Sequence, residues 1–278
     1  MTEAERELEK MLQGKDEEID LTLANWLLVA DIPEFSGMTR QEYLAQLDAM
    51  EKQVRSEMER MRGVALSRGK NLDDPDVRCS IFCNAVLKLK LVYREEFAST
   101  RLTPELLRGL YSDPNNLFLA GLIRTRRGSC VSMPLIYLVL GQRLGFPVNL
   151  VGVGRHTFIR WQEHNYRMNV ETTIVQSVKV TPDDSVYIEQ EGLRPDEIRG
   201  NVLRNMTRRE VLGEAFYARA AYWRVNSEAT KECYDISRAR HLSPDDYNIE
   251  RTHQLAFNHY RIKPHHKMLE ITVNPKPK

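Results

Sequence analysis

The chain has 278 residues, 42% hydrophobic and 28% charged, enough apolar content for one large or two smaller globular units and too much for a disordered chain. Lys plus Arg total 40 against 39 for Asp plus Glu, and a net charge of +1 gives no argument for nucleic acid or an anionic membrane as partner. The acidic, amphipathic start MTEAERELEKML is unlike a secretion signal, no apolar run approaches the roughly 18 residues of a membrane span, and four cysteines in a chain this long do not make a disulfide framework, so a soluble cytoplasmic protein is expected.

Residues 1–98 read as a helical amino-terminal portion. TEAERELEKML, EEIDLTLANWLLVADI, TRQEYLAQLDAMEKQVRSEMERMRGVAL and DPDVRCSIFCNAVLKLKLVYREEF carry apolar residues at three- and four-residue spacing. Thr39 and the pair Asp74-Pro75 mark helix starts, and Gly63 and Gly69 fall where helices should fray. Cys79 and Cys83 lie four apart on the last of these helices. No second pair or nearby histidine completes a four-ligand set, so core packing is favoured over a metal site, and no metal is expected.

Residues 99–196 change character. TPELLRGLYSDPNNLFLAGLIRT is followed by RRGSCVSMPLIYLVLGQRLG, and then by PVNLVGVG, HTFIRWQ and YRMNVETT. The last three are short, rich in β-branched and aromatic residues, and separated by Gly or by the polar EHN turn, which predicts antiparallel strands. Residues 197–278 turn helical again through VLGEAFYARAAYWRV, SEATKECYDISRARHLSPDD and NIERTHQLAFNHYR. That segment is reminiscent of a tetratricopeptide repeat, but only one degenerate copy is visible and a solenoid needs about three.

Cys130 follows Gly128-Ser129 and precedes an apolar helical run, so it is expected at a helix start, with Ser129 as a plausible cap. Unsatisfied backbone N–H groups and the helix dipole there favour a thiolate, the form that attacks carbonyl carbon. The same amides are placed to form an oxyanion hole. Pro134 lacks the N–H that would have bonded the Cys130 carbonyl, which leaves that carbonyl outside the regular ladder. The alternative reading is a small buried thiol.

A base shifts the balance. His156 opens a predicted strand, and a cysteine nucleophile needs an imidazole within hydrogen-bond reach. A two-residue hairpin turn at Glu163-His164 would set Glu171 directly across from His156, with Asn169 one diagonal step away on the same face. A one-residue slip would instead present Thr172.

The stretch DPNNLFLAGLIRTRRGSCVSMPLIYLVLGQRLGFPVNLVGVGRHTFIRW resembles the transglutaminase-like superfamily, and most of all its SirB1-like branch, in which an Arg-Arg-Gly segment precedes the helix and a Gly-x-x-His-Phe-type strand follows. The likeness covers roughly residues 40–175 and, more loosely, the helical tail. It implies a triad with Cys130 as nucleophile, His156 as base and Glu171 as acid, and it implies no cofactor. Many SirB1-like chains carry proline where this one has Cys130, so cysteine here argues for activity. Glutamate where relatives have aspartate leaves open whether Glu171 or Asn169 orients the imidazole.

Asn116 and Arg127 are weaker candidates for substrate binding or orientation. The basic cluster Arg124, Arg126 and Arg127 and the stretch LRNMTRRE are expected on solvated surface, Trp161 and Tyr137 in the core, and the three histidines of HYRIKPHHK in a flexible tail. The expected fold is α+β: helical amino-terminal portion, transglutaminase- or papain-like core, helical extension. The expected chemistry is cysteine-dependent acyl transfer or hydrolysis on a protein, peptide or small amide or ester. The alternative is a non-enzymatic scaffold that binds a protein partner through its carboxy-terminal helices.

Overall fold

The structure, a computed structural model, describes residues 2–97, 103–154, 156–173, 179–181 and 183–260. It begins with four helices: α1 (Glu3–Leu12), α2 (Leu21–Val29), α3 (Arg40–Ser67) and α4 (Pro75–Leu87). Thr39 opens α3 with a capping box, its hydroxyl accepting the Glu42 N–H at 3.2 Å while Glu42 accepts the Thr39 N–H at 2.7 Å. Asp74 caps α4 and Pro75 holds its first position. Gly63 does not end α3, which runs on to Ser67 and closes where Gly69 takes a φ of +70°.

The fourth helix is shorter than its periodicity suggests. It ends at Leu87, Lys90 turns the chain at a φ of 55°, and Val92–Tyr93 forms a two-residue strand, β1. The β-branched and aromatic pair prefers extended backbone. It has a partner at hand: β1 runs parallel to β2 (Arg127–Gly128), with the Val92 N–H donating to the Arg126 carbonyl at 2.8 Å. This pairing brings Tyr93 beside the segment that precedes Cys130.

Between those strands lie α5 (Pro104–Ser112), a 3-10 turn at Pro114–Asn116 and α6 (Leu119–Thr125). Gly121 allows α6 to press on that turn, since a Cβ there would come within 2.3 Å of the Asn115 backbone. Next come α7 (Met133–Arg143) and an antiparallel sheet in the order β3 (Val148–Val153), β4 (His156–Glu163), β5 (Tyr166–Glu171), β6 (Lys179–Thr181). The first three strands follow the sequence pattern; the short β6 carried too little pattern to be seen. One face of the sheet buries Leu150, Ile159, Trp161 and Val170 in the main core, against which α7 packs. The other carries Val151, Val153 and Phe158 beneath Tyr187 of α8 (Ser185–Glu191), with the Phe158 and Tyr187 rings stacked at 3.9 Å.

The β4–β5 turn is His164-Asn165, one residue later than expected. Glu163 pairs with Tyr166 and Arg160 with Asn169, so Glu171 stands opposite Phe158 and reaches His156 diagonally. His164 absorbs the turn with a φ of 51°. A shift of one residue in the turn moves the register by two, which preserves the face.

Three helices complete the described chain: α9 (Arg208–Val225), α10 (Ala229–Leu242) and α11 (Tyr247–Tyr260). The arginines that open α9 are not a solvated surface. Asp16 accepts the Arg208 and Arg209 N–H groups at 3.0 and 2.9 Å, and the Arg208 guanidinium donates to the Glu17 and Ile19 carbonyls. Asp16 thus satisfies α9 N-terminal amides from almost two hundred residues away. The amino-terminal helices, α7, the inner sheet face and α9–α10 share one continuous core, giving an α+β architecture. No helix among the described residues is long and apolar enough to cross a membrane. His259 lies in α11, and the other two tail histidines lie outside the described residues.

Candidate active site

Cys130 sits in the turn before α7 and not in the helix itself, because Ser132 is the residue that immediately precedes it. The turn is held from behind. Ser129 Oγ accepts the Val131 N–H and Ser132 Oγ accepts the Ser129 N–H, each at 3.1 Å. Both hydroxyls then donate to the Asn116 carbonyl, at 2.7 and 2.8 Å. Gly128 leaves room for this arrangement, since a Cβ there would meet Ser132 Oγ and Leu122 at 2.9 Å.

Pro134 leaves the Cys130 carbonyl without a ladder partner, and Thr157 supplies one: its hydroxyl donates to that oxygen at 2.6 Å. Thr157 follows His156 on β4, so the strand that carries the imidazole is tied directly to the turn that carries the thiol.

His156 Nε2 lies 2.6 Å from Glu171 Oε2, and the Cys130 thiol lies close enough to the ring to help raise its pKa. With Nε2 committed to the carboxylate, Nδ1 is the nitrogen left for sulfur. The second Glu171 oxygen accepts the Thr173 N–H at 2.8 Å and the Thr173 hydroxyl at 2.5 Å. Tyr93, brought in by β1, lies beside Thr173. Tyr187 stacks over the imidazole at 6.3 Å and 19°.

Burial alone would push His156 toward its neutral form. The hydrogen bonds and charges of Cys130 and Glu171 outweigh that and raise its pKa to about 10. Glu171 responds in the opposite sense. Burial would raise it, but His156 and Thr173 hold it below the ordinary carboxylate range. The site therefore favours an imidazolium held against a carboxylate.

The weaker candidates lie elsewhere. Asn169 is fully buried, its Oδ1 accepting from Arg160 Nε at 2.7 Å and its amide donating to Asp184 at 2.8 Å, so it does not meet His156. Asn116 is buried behind the cysteine turn, which it braces through its backbone carbonyl, and its amide donates to the Leu110 carbonyl at 3.2 Å. Arg127 is exposed on β2. Arg124 is structural, donating to Asn115 at 2.6 Å and to the Glu34 carbonyl, and lying 4.7 Å over the Phe35 ring. Cys79 and Cys83 are buried free thiols on α4, and no cluster of three or more metal-ligating side chains exists among the described residues. Thr157, Thr173, Tyr93 and Tyr187 were not anticipated. Only the orphaned Cys130 carbonyl signalled that a donor was needed.

A cavity of about 240 Å³ opens beside this group, bounded by Val131, the His156–Thr157 end of the sheet, α5 and α9.

The sequence model of the transglutaminase-like superfamily matches residues 41–214. That span holds Cys130, His156 and Glu171. No curated protein and no solved structure gives a significant match to the chain.

Proposed function

Since the chain belongs to the transglutaminase-like superfamily, we propose that Cys130, His156 and Glu171 act as nucleophile, acid–base and orienting carboxylate in acyl transfer from an amide or ester. The observation that carries this reading is the imidazole bound to a carboxylate, Nε2 to Oε2 at 2.6 Å, with the Cys130 thiol close enough to act on the same ring. The thiolate adds to the carbonyl carbon and the C=O electron pair moves onto oxygen. The Val131 amide is taken by Ser129, so the Cys130 amide is the turn donor assigned to that oxyanion. Collapse breaks the bond to the leaving amine or alkoxide, which takes the Nδ1 proton. Water or an acceptor amine then adds to the thioester while His156 takes its proton. A second collapse expels the Cys130 thiolate and releases an acid or a new amide, with the imidazolium restored.

Glu171 holds the ring with Nδ1 toward sulfur throughout. The substrate is a protein, a peptide or a small amide or ester. Acylation by p-nitrophenyl acetate tests the reading: a burst of nitrophenolate matching the enzyme concentration is expected, and its persistence in Cys130→Ala would refute it.

A scaffold reading has one observation of its own. Tyr247 and Leu255 are more than half exposed on α11, a surface suited to a protein partner. That role accords with the SirB1-like and tetratricopeptide-like character proposed for the chain. Absence of a burst, together with iodoacetamide labelling of Cys130 no faster than that of Cys79, Cys83 and Cys233, would favour it.

A further inference from the structure

The cavity beside His156 has walls of one kind and an end of another. Its sides are apolar, formed by Leu107, Val131, Leu150, Met206, Ala215 and Ala218. Glu214 and Asp246 also line it, with their carboxyl groups close enough to act on each other. Asp246 is fixed from behind, accepting from the Asn201 amide and from the Ile249 N–H at 2.8 Å each. The neighbouring Glu210 is already satisfied by Arg204 and Thr207. Among the described residues no Lys or Arg forms an ion pair with Glu214 or Asp246. Two facing carboxyls without a cation are costly in an apolar setting. Burial, and then the charge of Asp246, push Glu214 up to about 8, so Glu214 keeps its proton near neutral pH.

Two routes fix this acidic end close to the reactive pair. Asn248, two residues beyond Asp246, donates to the carbonyl of Gly154, two residues before His156, at 3.1 Å. Val202, next to Asn201, bridges to Gly152, which pairs with Thr157. Two strand spacings, roughly 10 Å, separate the Thr157 and Val202 backbones. An extended lysine or arginine side chain is suited to a span of this order.

We propose that this cavity is the specificity pocket for the acyl donor and takes a lysine or arginine side chain on the acyl side of the scissile bond. The aliphatic stem lies along the apolar walls and the cationic end meets Glu214 and Asp246. The proposal rests on the Cys130–His156 reading above.

Wild-type enzyme and p-nitrophenyl esters of Nα-acetyl-lysine and Nα-acetyl-norleucine test it, with hydrolysis by Cys130→Ala subtracted. The lysyl ester should show kcat/KM at least about tenfold higher, because norleucine fits the walls and lacks the ammonium. Glu214→Gln should lower the lysyl-to-norleucyl ratio about fivefold or more. If that variant fails to fold, Asp246→Asn is the second probe, since asparagine can still accept the Ile249 N–H. Turnover of both esters with no lysyl preference overturns the pocket and leaves the catalytic reading standing. A preference that survives intact in both variants, each folded, also overturns it. No turnover of either ester above Cys130→Ala overturns both readings.

Discussion

His156 sits between two partners of opposite use, and its charge helps hold Glu171 ionised. Glu171 fixes the Nε2 side and Cys130 the other, so removing either should change what the ring does at pH 7. Cys130→Ser keeps the size and a hydrogen-bonding group, and its melting temperature should stay within a few degrees of wild type. Acyl transfer should fall by at least about a hundredfold, because a hydroxyl is a far poorer nucleophile here; nitrophenolate release measures one and calorimetry the other. Glu171→Gln should cost about 2 kcal/mol, the scale of a charge-assisted hydrogen bond. That cost depends on pH with a definite sign. The raised His156 pKa contributes stability that is full below 6.5 and is lost as pH rises through about 10. The lowered Glu171 pKa contributes stability that is full above 4.5 and is lost as pH falls through its depressed value. Urea midpoints of wild type and Glu171→Gln should therefore differ most between about pH 4.5 and 6.5 and converge on either side. A difference independent of pH would mean that the pair is not ionised as described.

At the scale of elements, the turn ahead of α7 and the strand β4 meet through one hydroxyl. Thr157→Val removes the donor to the Cys130 carbonyl while nearly conserving shape, and it leaves a polar atom at the helix edge unpaired. Iodoacetamide should alkylate Cys130 several-fold more slowly in this variant, with the rate restored by Thr157→Ser, whereas labelling of Cys233 should not change. Part of this architecture is legible in the chain. Thr39, Asp74-Pro75 and Pro134 act through neighbours within four residues, and period-two patterning marks β3, β4 and β5. Cys130, His156 and Glu171 could be singled out because helix start, strand start and same-face carboxylate are all local signals. What was missed depends on distant partners. Val92–Tyr93 leaves the helical pattern because β2 lies alongside, Asn169 is claimed by Arg160 and Asp184, and Thr157 finds its acceptor 27 residues back. The hairpin turn was misplaced by one residue because Glu163, His164 and Asn165 are all polar enough to turn, and only the pairing distinguishes them.

Over the whole molecule, the two helical ends are joined through buried charge as well as apolar packing. Arg219 on α9 meets Asp235 on α10 through two bonds of 2.6 Å, and also donates to the Leu28 carbonyl on α2. Trp223 donates to the same aspartate at 2.8 Å. Because one core runs from α2 through the sheet to α10, unfolding should be a single cooperative event. Trp26, Trp161 and Trp223 lie in α2, β4 and α9, so tryptophan fluorescence samples all three regions, and its transition should coincide with loss of helical circular dichroism. Asp235→Asn leaves the Arg219 guanidinium buried without its counter-charge, which should destabilise the fold by about 3–5 kcal/mol. Replacing both partners, as Arg219→Met with Asp235→Leu, should cost less than that single change, because no charge is then stranded. The two residues lie far from Cys130 in the chain and pack against α2, so the double variant, where folded, should keep wild-type labelling kinetics at Cys130. Should the single variant lose no more stability than the double one, the pair is solvated in the folded state, and the joint between the two helical ends rests on apolar packing alone.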